Sequence, residues 1–513
     1  MPTKTKIPCE IWIWCIAAVN VFIHLFFYDT LGFHRDELLY FSLGTHPSFG
    51  YASVPPLVGW TAWLMSQVFG FTLFAARILP ALLSSVLILL SSSIAKEMGG
   101  KGYSRILTAI GVLLTPINLR GFLFFQPVFL DVLFWTLLFY LAILFINRQK
   151  TGYLILFGLV AGVAFLNKYL VLLQIFCMAV VFLFSPQRKL FFTRSLLWAA
   201  IVALVIALPN LIWQIVHDLP VITHMNALNR FQLVHVNRME FLAGQIFIGF
   251  MASVLTVPGL IAGTGSSHFS RFRPLFIASF LVIAILCFLR GKIYYTAGLI
   301  PFLAAAGSVA WERWIRAPWL RSSLALLIIL VSVPFFPIGI PVMKPEGLCR
   351  YFKFLQDKMG FDTPLRWEDA TIHSLPQDFA DMLGWEEMAM ITAKAYGEVK
   401  DTGSCMIYCE NYGEAGAVTV LGKKYGLPQP ACFSESFLYW TPSELPREIE
   451  TLIYVNSEMG DDVKALFSDI REVGHVGDPL AREHGTTVYL CTGPTGSFRE
   501  FWKQRMAVIT DPF

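Results

Sequence analysis

The 513-residue chain is 56% hydrophobic and only 14% charged, with a mean hydropathy of +0.61. An ordinary soluble domain carries about 25% charged residues, so this composition excludes one and implies a polytopic membrane protein. The net charge of +4 is too small to point to nucleic acid. The nine cysteines show neither a CxxC pair nor zinc-like spacing, which argues against a zinc module.

The start, Met1–Lys6, is basic and precedes a long apolar run without an A-x-A-like cleavage site, so an uncleaved anchor is expected. Crossing a bilayer takes about 20 apolar residues in a helix. Eleven stretches approach that length: 10–28, 71–95, 106–119, 128–146, 153–167, 169–185, 195–214, 241–262, 274–290, 293–311 and 322–343. Between the first two, Pro55-Pro56 opens a Trp- and Leu-rich segment that suits a helix lying at the membrane interface.

Orientation follows from Lys and Arg in the short loops. With the N-terminus in the cytoplasm, every loop that must then lie inside is basic. These loops hold Lys96, Lys101 and Arg105; Arg148 and Lys150; Arg188, Lys189 and Arg194; Arg271 and Arg273; and Arg313, Arg316 and Arg321. Their only acids are Glu97 and Glu312. An odd number of spans puts everything after about Val342 outside.

The opposite side mixes both signs: Arg35, Asp36, Glu37, Arg120, Gln126, Asp131, Asn167, Lys168, His217, Asp218, His224, Arg230, Arg290, Lys292, Tyr294 and Tyr295. Ionisable groups at membrane depth usually face a bundle interior or a water-filled site, so one polar cavity opening outward is expected. From Lys344 the chain turns polar and Gly/Pro-punctuated. Short apolar runs (Ser404–Cys409, Thr451–Val455, Thr487–Cys491) alternate with helical stretches (Phe379–Tyr396, Gly413–Tyr425, Asp461–Ser468), which predicts a small α/β domain over 344–513 beside the helical region 1–343. Neither a GxxxxGK[ST] loop nor a GxGxxG after a strand is present, so no nucleotide site is indicated.

Read as a reaction site, the outer cavity offers Asp36 as a general base for an acceptor hydroxyl, with Glu37 orienting it or the substrate. Lys168, Arg290 and Lys292, with Tyr294 or Tyr295 as added donors, suit a phosphate that gains charge as it leaves. Arg35, Tyr40, Arg120, Asp131, His217 and His224 are the expected substrate-positioning groups. Each residue alone also fits a helix-end anchor, a snorkelling cation or an interfacial Tyr. Their shared side carries the reading.

These residues fall in an order that resembles the dolichyl-phosphate-mannose-protein mannosyltransferase-like membrane glycosyltransferases of the GT-C superfamily, whose branches include bacterial lipid A aminoarabinose transferases. The resemblance rests on Asp36-Glu37 followed by Tyr40, Pro55-Pro56-Leu57, Arg77-Ile78-Leu79-Pro80, Asp131, Leu166-Asn167-Lys168-Tyr169, and Gly291-Lys292-Ile293-Tyr294-Tyr295 leading to Pro301. The segments Asp378–Glu386 and Asn411–Ala417 resemble the periplasmic domain of a bacterial subgroup.

The resemblance implies an inverting transfer of one sugar from a polyprenyl-phosphate carrier to a glycolipid, glycan or protein acceptor, on the outer face of a cell (inner) membrane. It makes Asp36 the catalytic residue of the acid pair and puts Lys168, Lys292 and Tyr295 near the carrier phosphate. The aminoarabinose transferases have a metal-associated Glu and a phosphate-associated Lys before the Pro pair, where this chain has Ser53-Val54. No cofactor is therefore expected, and a divalent metal is not indicated.

Three rivals remain at this stage. A transporter or flippase usually shows internal repeats and midplane breaks, and the halves of this chain show no repeat. An oligosaccharide ligase would share the cavity but carries larger outer loops than the one at 215–240. A scaffold would use the polar tail as a binding module.

Overall fold

The computed structural model describes residues 8–191, 193–231, 233–369 and 371–509. The basic start, Met1–Lys6, lies outside them. Among the described residues, eight helices are long and apolar enough to cross a membrane: Cys9–Phe26, Leu73–Glu97, Pro127–Arg148, Arg194–Val216, Arg238–Gly265, Ser267–Phe288, Ile293–Trp314 and Pro318–Gly339. The other three expected spans are met by shorter apolar helices, Gly102–Leu113, Thr151–Phe165 and Val171–Phe184. At 12, 15 and 14 residues they fall short of the ~20 that a perpendicular crossing needs.

Small residues set the closest helix contacts, as they must where lipid removes the hydrophobic drive for helix association. A Cβ on Gly158 would lie 2.1 Å from the Ala199 carbonyl, and one on Gly307 would lie 1.8 Å from the Leu255 carbonyl. Both helix pairs therefore touch backbone to backbone.

The basic loops gather at one end of the bundle. There Arg105 pairs with Glu10 at 2.6 Å, Arg148 with Glu97 at 2.5 Å, and the Lys101 N–H donates to Glu312 at 2.7 Å. The opposite end carries the helix Arg35–Thr45 and the helix Leu57–Phe69, which Pro56 caps and which leaves Trp63, Leu64 and Val68 exposed.

The tail forms a four-stranded sheet in the order β1-β2-β4-β3, with β1 Cys405–Cys409, β2 Thr451–Asn456, β3 Phe467–His475 and β4 Thr487–Pro494. The β1–β2 pair is parallel and the other two pairs are antiparallel. Three of these strands match the expected apolar runs. The fourth corrects the expected helix Asp461–Ser468, which stops at Lys464 before β3 begins at Phe467. Helices Trp385–Gly397 and Tyr412–Val420 pack against the sheet, and Gly416 brings the latter onto Leu38 of helix Arg35–Thr45. One apolar core runs without a break from Ile13 and Phe125 among the membrane helices to Ile453 and Leu490 in the sheet. All nine cysteines are free thiols.

Candidate active site

The site begins with a helix start. His34 caps helix Arg35–Thr45: its Nδ1 accepts from the Asp36 N–H at 3.1 Å, while Glu37 Oε2 accepts from the His34 N–H at 2.8 Å. This reciprocal capping box fixes the first turn and so aims Asp36. Glu37 is fully buried and spent on structure. It also accepts from the Phe125 N–H at 2.7 Å and pairs with Arg77 at 2.9 Å. Arg77 in turn donates to the carbonyls of Leu123 at 2.7 Å and Gly32 at 3.0 Å. Grouped at the outset with Asp36 as a catalytic acid that orients it or the substrate, Glu37 has its oxygens taken up in joining three segments, so it bears on Asp36 through the helix start.

Asp36 is half-buried and held by two neutral donors. Gln126 Nε2 donates to Oδ2 and the Tyr412 hydroxyl donates to Oδ1, each at 3.0 Å. Burial first, and the adjacent Asp36 charge second, push the Tyr412 phenol well above its ordinary value, so it remains a donor across physiological pH. Arg35 lies 4.3 Å over the Tyr412 ring and is among the charges that act on it. Tyr40, one helical turn from Asp36, is buried where Asp36, Tyr412, Glu435 and Tyr294 all bear on it.

A second group adjoins the first. Asn167 donates to the Pro127 carbonyl at 2.9 Å and pins the Leu166–Leu170 turn against helix Pro127–Arg148. Lys168 then faces Asp131 of that helix at 3.9 Å and lies over the rings of Tyr294 and Tyr295, 5.2 and 4.9 Å from their centroids. The charge of Lys292 reaches Lys168 and also His224, whose ring is held below its ordinary value by burial and then by that charge. Lys292 itself pairs with Glu368 of the tail at 3.3 Å. Tyr294 joins the two groups, since it contacts Lys168 and lies within the field of Asp36.

Three expected residues lie elsewhere. Arg290 is exposed at a left-handed helix end, φ 55°, and donates to the Val234 carbonyl. Arg120 pairs with Asp378, donates to the Ile338 carbonyl and stacks on Phe379, so it ties the membrane bundle to the tail. His217 stacks on Trp213 at 4.1 Å and meets Tyr439 edge-on. The first terminates a helix, and the other two join tail to bundle.

Two clefts, of about 780 and 320 Å³, open beside the Asp29–Phe33 loop and on the sheet domain; neither is lined by Asp36 or Lys168. No described group of three or more His, Cys, Asp or Glu side chains is placed to hold a metal.

Sequence reasoning missed Tyr412 and Glu435 as site residues. Tyr412 had a local signal, the capping box Asn411–Glu414 that presents it at a helix start. Glu435 had none.

Residues 53–213 match the family described as dolichyl-phosphate-mannose-protein mannosyltransferase. The lipid A galacturonosyltransferase RgtD of Rhizobium johnstonii is 26% identical over 334 residues, 61% of this chain and 66% of that relative, just under two thirds of its length. The ArnT structure from Cupriavidus metallidurans bound to undecaprenyl phosphate superposes with a TM-score of 0.64 at 14% identity, covering 95% of this chain and 99% of that one. Its apo form gives 0.58 at 15% over the same shares. At these identities the structures speak for the fold. The matched segment and the superposed architecture agree: residues 53–213 are similar to the dolichyl-phosphate-mannose-protein mannosyltransferase family, and the chain as a whole has the fold of the ArnT structures.

Proposed function

We propose that this protein transfers one sugar, with inversion, from a polyprenyl-phosphate carrier to an acceptor hydroxyl on the outer face of the cell membrane. Asp36 removes the acceptor proton as the hydroxyl oxygen attacks the anomeric carbon. The bond from that carbon to the carrier phosphate breaks, and the electron pair goes to the phosphate oxygen. Lys168 and Lys292 hold the phosphate as it gains charge, and Tyr295 adds a donor. Residues 344–513 serve as the extracytoplasmic module that closes over the base.

The observation that carries this reading is the junction at Tyr294. It brings a carboxylate held by two donors and a lysine framed by two Tyr rings into one neighbourhood. A hydroxyl nucleophile and a phosphate leaving group need those two halves side by side. The name of the 26%-identical relative makes lipid A and a galacturonosyl donor the first pair to test.

The test uses the full chain in liposomes with undecaprenyl-phosphate-linked galacturonic acid and lipid A. Transfer is expected, and Asp36→Asn should lower its rate by about 10² or more while the protein stays folded. Wild-type turnover by Asp36→Asn would overturn the reading.

A further inference from the structure

Glu435 lies on the short segment Glu435–Tyr439 that the tail sends onto the membrane bundle. Its neighbours fix it there. The Ser436 hydroxyl accepts from the Ala52 N–H at 2.9 Å, Ser53 is the hydrogen-bonding neighbour of the Glu435 carboxyl, and Trp440 stacks on His46 at 4.1 Å. Three features of Glu435 are unusual together. It is 9% exposed, its backbone is left-handed at φ 58°, and its Oε2 has no hydrogen-bond partner among the described residues. A left-handed non-glycine residue and an unsatisfied buried carboxylate each cost free energy, and such features cluster at functional sites. The charges that bear on it are those of Asp36 and Arg35, so this carboxylate belongs to the neighbourhood of the base.

Asp36 has both oxygens tied to Gln126 and Tyr412, whereas Glu435 keeps one oxygen open. A lone acceptor hydroxyl has one proton to give, and the base takes it. An open carboxylate oxygen beside the base therefore suits a second hydroxyl on the same acceptor, the arrangement found in a sugar and lacking in a Ser or Thr side chain.

We propose that Glu435 is an acceptor-positioning residue: its open Oε2 accepts a hydrogen bond from the hydroxyl neighbouring the one that is glycosylated, which makes the acceptor a carbohydrate. This rests on the transferase reading above. The tail thereby supplies part of the acceptor site, and it holds the sugar in register with Asp36 without itself taking a proton.

The bond is charge-assisted, and so strongest, when the carboxylate is ionised. Burial is the main cause that pushes the Glu435 carboxyl up to about 7; Asp36 adds to the rise, and Ser53 and Arg35 oppose it. The titratable and charged groups facing it are Arg35, Asp36 and Tyr40 from the membrane half, and Tyr412 and Cys432 from the tail. Acceptor affinity should therefore rise with pH through about 7.

The experiment compares wild type, Glu435→Gln and Asp36→Asn as full chains in liposomes. The donor is undecaprenyl-phosphate-linked galacturonic acid, and the acceptors are lipid A and a lipid A analogue lacking the hydroxyl next to the transfer position. Glu435→Gln should raise the acceptor KM about 10-fold or more and leave undecaprenyl phosphate affinity unchanged. It should also flatten the fall of acceptor KM between pH 6 and 8. On the deoxy analogue, wild type and Glu435→Gln should perform alike, because the two deletions remove one shared contact. Equal KM values and pH profiles for wild type and Glu435→Gln on lipid A, with Asp36→Asn inactive, would sink the proposal and leave the transferase reading standing. Full activity of Asp36→Asn would sink that reading instead.

Discussion

At the scale of single residues, the two acids of the Asp36-Glu37 pair have separate fates, although the sequence writes them side by side. A helix start points successive side chains about 100° apart, so one faces the site and the other faces the packing. Glu37 and Arg77 form a fully buried pair, and removing one partner strands the other charge, at a cost of about 3–5 kcal/mol. Arg77→Ala should therefore give poorly folded protein with a much lower thermal midpoint in detergent, whereas Asp36→Asn should melt close to wild type. Lys168→Ala should weaken undecaprenyl phosphate binding about 10-fold or more by losing a charge-assisted contact; equilibrium binding to the purified protein measures it.

Burial also raises Glu414, to about 8, and Glu435, to about 7, from an ordinary 4.5. The folded chain thus binds these protons more tightly than the unfolded chain does. Their contribution to stability is full below about 4.5 and is lost as pH rises through 7 and 8. Glu435→Gln should accordingly stabilise the protein by about 2–3 kcal/mol at pH 8 and by little at pH 5, read from unfolding midpoints at the two pH values.

At the scale of elements, legibility followed hydrophobicity. Apolar runs marked the membrane helices and three strands, because burial on both faces leaves a continuous apolar stretch. Strand β3 escaped because it is an edge with Asp469, Arg471 and Glu472 in its exposed middle, the charged dress that keeps an edge from pairing with another chain. Lys168 and Lys292 stand out in the sequence as candidates because a cation beside an apolar span is conspicuous, and the structure brings their charges within reach of each other. Tyr412, 376 residues from its partner Asp36, was not, since no local pattern encodes which helix start a distant tail will touch. Arg290 and His217 lie apart from the Asp36 and Lys168 groups for the same reason. Being polar at a span end fixes a level along the bundle and leaves the side of the helix open.

At the scale of the whole molecule, the unbroken core between membrane helices and sheet means the tail is no tethered accessory. Leu38, Trp385, Val418 and Ile453 share one packing cluster. A chain cut after residue 343 would expose that surface, along with Gly32, Leu38 and Arg120, which now touch the tail. Such a truncation should aggregate or be degraded in the membrane, and adding residues 344–513 as a separate chain should restore little. Size-exclusion profiles of both preparations check this; a monodisperse truncated chain would show that the two halves fold independently.

The two donors on Asp36 lie far apart in the polypeptide, Gln126 in its first quarter and Tyr412 in its last fifth. Gln126 is in place once the early membrane helices have inserted, but Tyr412 emerges from the ribosome only when synthesis is almost finished. Until then the Asp36 carboxylate has one side-chain anchor, although the capping box and the Glu37–Arg77 pair already set the helix start that carries it. The second hold on Asp36 thus arrives only with the last fifth of translation.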